Sequence, residues 1–385
     1  MRRLWSVFAI FLLAAASFLA RAQAFPPAEP ILDYIAENRD DVAVLCYTAG
    51  ESNPAFALNA QEPFPLASTY KLVVLAEMAR QIDAGMIDPD EEIPLEAVNA
   101  YWLPGTDGGA HQAWLDTLAP DQDAVTLANV AYAMIAYSSN AAPDALLSKL
   151  GRDGFPELFD ELGLENTDLP SGSYLGLYLA FDNHETGQVD PESLDRDSLL
   201  ATRQHLENRY LADAEWREAE LAYQQRKLDS LLDDPEAAAA ELEKQAAYLA
   251  AFDNRGSARD MLTIMEAAFH GDVFAGAGQQ FMQSILNWLM DVNPANRQVY
   301  DYLAAKGGSL PAILTGTWYV KPQGGEPLAL AVFYRDLSPE LWSEWVGTFA
   351  HQGLELRAVA GGEGCAVFEE LAAVMPDSLD NELLR

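Results

Sequence analysis

The chain predicts an α+β fold: one five-stranded antiparallel sheet assembled from both ends of the sequence, with terminal helices on it and a helical region inserted. Three observations carry this reading. Two strand-like runs lie near the N-terminus and three near the C-terminus. The turns joining the last three are short enough for antiparallel hairpins. Helical periodicity fills most of what lies between.

Taken in order, Arg2 and Arg3, the apolar run Leu4 to Leu19 and the small residues Ala22-Gln23-Ala24 read as an export signal over residues 1–24. The mature protein is then expected to begin near Phe25, to be periplasmic or extracellular, and to have no membrane partner once the signal is cleaved. Pro27 to Asn38 reads as a short helix, Val42 to Thr48 as a strand and Ala55 to Asn59 as its hairpin partner. A helix follows from Leu66 to Met78. Residues 83–150 read as helices broken by Pro and Gly turns, with Thr126 a cap. Asp153 to Leu162 is another short helix, and the Gly-, Ser- and Tyr-rich stretch Thr167 to Asn183 an irregular loop. Ser257 to Met290 is helical. The runs Tyr302 to Leu310, Ile313 to Lys321 and Leu328 to Tyr334 are strands, and Pro339 to His351 is a closing helix. Residues 25–385 thus form one domain, its sheet part 25–65 and 291–360 and its helical part 66–290.

Residues 187–252 differ from the rest. They are charged, rich in Ala and Leu and nearly free of Gly, with Asp233-Asp234-Pro235 breaking the run, so a projecting helical hairpin is expected. A solvated insertion without chemistry is the plainest reading; a lid over a site, or an arm for a protein partner, is the sharper one.

The formal net charge is −36, from 59 acidic against 23 basic residues, which argues against nucleic acid or an anionic membrane surface as partner. It suits a protein kept soluble at high ionic strength, where salt screens self-repulsion. Cys46 and Cys365 are equally compatible with one disulfide in an exported chain and with buried free thiols. The five histidines show no metal-ligand spacing. Neither a metal nor a cofactor is implied.

Chemistry concentrates in three places. Ser68-Thr69-Tyr70-Lys71 opens the Leu66 helix, and a serine followed three residues later by lysine puts both side chains on one face. A neutral amine there could take the hydroxyl's proton and make a nucleophile of it. Such a pair is common on solvent-facing helices, but here two further elements accompany it: Tyr137-Ser138-Ser139-Asn140 between two helices, and Lys306-Gly307-Gly308-Ser309 on a strand just before a hairpin. In order and context these resemble the serine penicillin-recognising enzymes, most closely the class A β-lactamase group. The resemblance spans roughly residues 30–180 and 255–350, and implies a three-layer α-β-α sandwich of β-lactamase and D,D-peptidase type.

The resemblance assigns Ser68 as nucleophile, Lys71 as its base and Ser138 as the group passing a proton to the leaving nitrogen. Asn140, Lys306, Gly308 and Ser309 would contact a small-molecule or peptide amide, and the N–H groups of Ser68 and Ser309 would form an oxyanion hole. Two positions depart from the family pattern. Gly307 stands where a hydroxyl residue is usual. The glutamate that activates the deacylating water has no counterpart: Ser173 aligns with it, and Asp168, Asp182 and Glu185 are candidate stand-ins, none of which has the family pattern. Three functions compete. One is a β-lactamase proper; another is a D,D-peptidase-like or esterase-like enzyme that deacylates lactams slowly; the last is a scaffold using residues 187–252 to bind a partner.

Overall fold

The computed structural model describes residues 27–49, 54–170, 172–270 and 273–375, so the expected export signal lies outside the described residues. At the centre is one antiparallel sheet of β1 (Val42–Thr48), β2 (Phe56–Leu58), β3 (Tyr300–Leu310), β4 (Ile313–Pro322) and β5 (Leu328–Tyr334). The spatial order is β2-β1-β5-β4-β3. The two ends of the chain meet where β1 pairs with β5, from Val42 opposite Tyr334 to Thr48 opposite Leu328. This is the sheet that the sequence predicts.

The principal helices are α1 (Glu29–Glu37), α2 (Lys71–Asp83), α3 (Tyr174–Phe181), α4 (Arg196–Ala212), α5 (Ala214–Asp233), α6 (Pro235–Phe252), α7 (Ala258–His270), α8 (Pro339–Thr348) and α9 (Ala350–Val359). Strand β5 is buried along its whole length. A continuous apolar strand needs cover on both faces, and helices supply it. On one face Tyr34 of α1 packs edge-on against Trp345 of α8, and Trp318 donates to Glu355 of α9 at 2.6 Å. The next residue, Tyr319, points the other way and stacks with Phe269 of α7. That two-residue alternation decides where the chemistry goes. Lys306 lies opposite Thr317 in the β3–β4 register, so it shares the face turned toward the helical region.

Two expectations need correction. Thr167 to Asn183 is not wholly irregular, because Tyr174–Phe181 is a buried helix whose start is capped by Ser173, its hydroxyl accepting the Gly176 N–H at 2.8 Å. Gly176 is what lets α4 come close: a Cβ there would lie 2.9 Å from the Arg203 carbonyl oxygen. The segment expected as a projecting hairpin is three helices, since Asp213 caps a new start by accepting the Trp216 N–H at 3.1 Å. Nor does it project. Its Leu199, Leu206, Tyr210, Tyr248 and Leu249 form a second core with Leu175, Leu177 and Leu179 of α3. Tyr248 fixes the contact by donating to the Leu177 carbonyl at 2.9 Å.

Among the described residues no helix is long and apolar enough to cross a membrane. Cys46 of β1 is disulfide-bonded to Cys365, which resolves the alternative left open by the sequence and ties the C-terminal turn Gly364–Phe368 to the sheet. A link between residues so far apart in sequence removes much freedom from the unfolded chain. The double variant Cys46→Ala, Cys365→Ala should therefore lose about 2–4 kcal/mol. Thermal melts of the two proteins check this, and an unchanged midpoint would show that the bond adds nothing.

Candidate active site

Ser68 lies in a tight turn, Ala67–Tyr70, that runs straight into α2. Entering it forces Ala67 to φ +48°, a left-handed conformation that residues with a Cβ rarely adopt. The Ala67 N–H is held there by the buried carboxylate of Asp253 at 2.7 Å, and the Leu66 N–H by the carbonyl of Asn254. Asp253 ends the three-helix segment, so the segment's exit and the Ser68 turn are fastened together. The resulting geometry leaves Ser68 half-buried while Thr69, Tyr70 and Lys71 are buried.

Lys71 is fully buried. Its Nζ is 2.9 Å from Ser68 Oγ, 2.6 Å from the Ser138 carbonyl oxygen, 2.9 Å from Asn140 Oδ1 and 3.3 Å from Ser138 Oγ. The carbonyl and the amide oxygen can only accept, and the Asn140 orientation is fixed because its Nδ2 donates to the Thr106 carbonyl at 3.1 Å. These two acceptors use both hydrogens of a neutral amine. The remaining lone pair is then free to receive the Ser68 hydroxyl proton. Burial drives the Lys71 pKa down to about 7, against the opposing pull of Asp107, Asp144 and Asp253. Nothing in the sequence singles out these three carboxylates, and only the fold reveals their burial. Burial lifts Asp144 to about 7 even though it accepts the N–H groups of Tyr174 and Leu175.

Ser138 is the bridge between the motifs. Its φ of +68° is again left-handed, at the end of the wide turn Ala133–Tyr137, and this aims its hydroxyl between the two lysines. Lys306 Nζ donates to Ser138 Oγ at 3.0 Å and to the Gly307 carbonyl at 2.5 Å. Burial first, and the Lys71 charge second, push the Lys306 pKa well below its usual value. Ser139, the middle residue of the motif, turns away to His111 Nδ1 at 2.8 Å and to the Ala142 N–H. Burial takes His111 down to about 4, so it stays neutral in that bond.

The structure thus brings Ser68, Lys71, Ser138, Asn140 and Lys306 into one hydrogen-bonded chain. Gly308 and Ser309 reach the same place from β3, and both border a small cavity of about 40 Å³ beside Lys306 and Trp288. Ser309 Oγ is buried and without a hydrogen-bond partner among the described residues. Ser68, Ser138, Asn140 and Ser309 also line a larger cleft of about 250 Å³. Among the described residues no cluster of His, Cys, Asp and Glu could hold a metal ion.

A family model described as "Beta-lactamase enzyme family" matches residues 26–351, well over half of the chain. The chain belongs to this family. No curated protein matches it. Solved structures similar to it include a β-lactamase from Sphaerobacter thermophilus, at 18% identity over 93% of this chain and 98% of that one, with a TM-score of 0.49. A β-lactamase from Chitinophaga pinensis is 16% identical over 84% and 97%, with a TM-score of 0.49. The protein PBP-A is 14% identical over 90% and 96%, with a TM-score of 0.46.

The residues expected at or near a water-activating carboxylate have other partners. Ser173 caps α3 and donates to Glu207 Oε2 at 2.7 Å. It is the next residue, Tyr174, that faces the site: its ring lies 5.3 Å from Lys71 Nζ and its hydroxyl donates to the Ala67 carbonyl at 2.9 Å. Tyr178, one turn on, lines the larger cleft. The three stand-ins are engaged elsewhere. Asp168 accepts the Arg255 N–H and pairs with Arg196, Asp182 pairs with Lys227, and Glu185 pairs with Arg209.

Gly308 sets how closely β3 can approach Ser68. A Cβ there would lie 2.8 Å from Ser68 N and 2.8 Å from the Leu66 carbonyl oxygen, both backbone atoms that cannot swing aside. Gly308→Ala should therefore push strand and turn apart, costing about 1–3 kcal/mol of stability and slowing reaction at Ser68 at least tenfold. Melting curves and labelling rates check this; a normal rate would mean that the two backbones need not meet so closely.

Proposed function

We propose that the protein is an exported serine hydrolase that transfers an acyl group from an amide or lactam to Ser68 and releases lactam-derived acyl groups slowly. One observation carries the reading: both hydrogens of a neutral Lys71 have acceptors of their own, leaving its lone pair at Ser68 Oγ. Ser68 Oγ attacks the carbonyl carbon as its proton passes to Lys71 Nζ. The carbonyl electron pair moves onto oxygen, where the N–H groups of Ser68 and Ser309 receive it. A donor placed in this way is worth about 3–4 kcal/mol. When the C–N bond breaks, the nitrogen takes a proton from Ser138 Oγ, which recovers one from Lys71. Water then hydrolyses the ester of Ser68.

Slow release rests on Tyr174. A phenol whose pKa burial holds well above 10 lies over Lys71, in the segment where the family carries a basic carboxylate. Such a group cannot take a proton from water near neutral pH. Export is supported by the N-terminal apolar segment and by the disulfide, which belongs in an oxidising compartment.

Incubation with a fluorescent penicillin should give a stable adduct with the wild type and none with Ser68→Ala, while nitrocefin is not turned over repeatedly. Absence of the adduct would sink acyl transfer through Ser68, and rapid nitrocefin turnover would sink slow release. The pH dependence follows from Lys71. An amine whose pKa is depressed to about 7 is charged below that pH and neutral above it. The labelling rate should therefore be low at pH 5, rise through pH about 7 and level off. A rate that is flat or falls over this range would remove Lys71 as the base.

A further inference from the structure

The larger cleft continues beyond the hydrogen-bonded chain, and its far wall comes from the three-helix segment 196–252. Gln224, Lys227, Leu228 and Leu231 recur at three- and four-residue steps, which places them on one face of α5, and all four line the cleft. Leu242 of α6 joins them, with Leu103, Leu310 and Trp342 from the body of the molecule.

The polar groups on this wall are occupied by one another. Lys227 is paired with Asp182 and with Glu241, the latter at 2.7 Å. Tyr223 also donates to Asp182, at 2.8 Å. Gln224 donates to the Asp182 carbonyl and to Glu220, and Gln245 to Glu241. Asp107 accepts the N–H groups of Gly109 and His111. What remains on the α5–α6 wall to meet a ligand is hydrocarbon, while Ser309 Oγ and Trp342 Nε1 on the opposite side are buried without a hydrogen-bond partner among the described residues. Leu228, Leu231 and Leu242 are only partly buried, and Leu228 sits against the loop at Gly105, where a Cβ would come within 2.8 Å of its Cδ1.

The wall also has a direction. Lys306 borders the small cavity but not the large one. If Ser138, beside Lys306, protonates the leaving nitrogen, the leaving half of the substrate lies on the small-cavity side and the acyl half extends into the large cleft past Asn140. We infer that the three-helix segment builds a subsite for an extended apolar acyl group, so that the preferred substrate is an amide whose acyl half is a hydrocarbon chain or aryl group. This rests on the acyl-transfer reading for its orientation, but the subsite itself can be tested without chemistry.

The test uses the mature Ser68→Ala protein and the N-acylglycines from acetyl to octanoyl, titrated by calorimetry. Affinity should rise at least tenfold from N-acetylglycine to N-octanoylglycine. Leu228→Asn combined with Leu231→Asn should abolish that rise while leaving the affinity for N-acetylglycine and the melting temperature unchanged, since both leucines are partly exposed. Equal affinity along the series, no measurable binding of any member, or a rise that survives the double variant would overturn the subsite. Failure of penicillin labelling alongside a normal chain-length rise would instead overturn the acyl-transfer reading and leave the subsite standing.

Discussion

The site depends on one amine being kept out of water. Moving Lys71 from its usual 10.5 to about 7 shifts the balance toward the neutral form by on the order of 5 kcal/mol relative to water. Three buried carboxylates work against that preference, yet desolvation wins, because none of them is among the hydrogen-bond partners of Lys71 Nζ. Had Asp107 or Asp144 closed on it as an ion pair, the amine would stay charged and useless as a base. Backbone N–H groups hold these carboxylates instead, Asp144 by the start of α3 and Asp107 by the turn before His111. Their placement is thus part of what sets the lysine.

The cost of assembling this arrangement appears in the backbone. Ala67 and Ser138 both adopt left-handed conformations without being glycine, and each lies next to or within the hydrogen-bonded chain. Asp253 holds the first in place, and the Lys71 bond to the Ser138 carbonyl holds the second. Gly308 shows the complementary device, a position where any side chain would separate β3 from the nucleophile turn. Strain, deletion of a side chain and burial of a charge-bearing group converge on the same few ångströms. Such a coincidence is expected where geometry serves a reaction and is hard to account for in an idle cleft.

Much of this was legible in the sequence for a simple reason: strands that are apolar throughout and bounded by Pro and Gly turns have few other readings. The five strands and the three motifs fell where expected. What escaped were features decided by tertiary contact. The helix Tyr174–Phe181 was missed because its apolar face goes all the way round, which hides the helical period, although Ser173 was a usable cap signal. Asp213 was a cap signal of the same kind within a run of charged residues, and overlooking it turned three helices into two. That the Tyr174 ring, next in sequence to Ser173, packs over Lys71 is likewise a matter of tertiary contact. Convergence of the three motifs came from family resemblance, since no local pattern brings residues 68, 138 and 306 together.

The surface charge bears on what such a site can recognise. A net charge of −36 repels anionic substrates at long range. At short range the motif cation facing the small cavity is Lys306, and it is buried with its pKa driven down, so it offers little attraction until an anion is already in place. Lys227 cannot help, because Asp182 and Glu241 neutralise it. Ionic attraction is therefore a weak handle for this cleft. Burial of hydrocarbon against Leu228, Leu231 and Leu242 works without charge, contributing about 0.8 kcal/mol per methylene, and it is not screened by salt. In a molecule this acidic, an apolar wall is the more dependable way to hold the acyl half of a substrate under the reading proposed for Ser68.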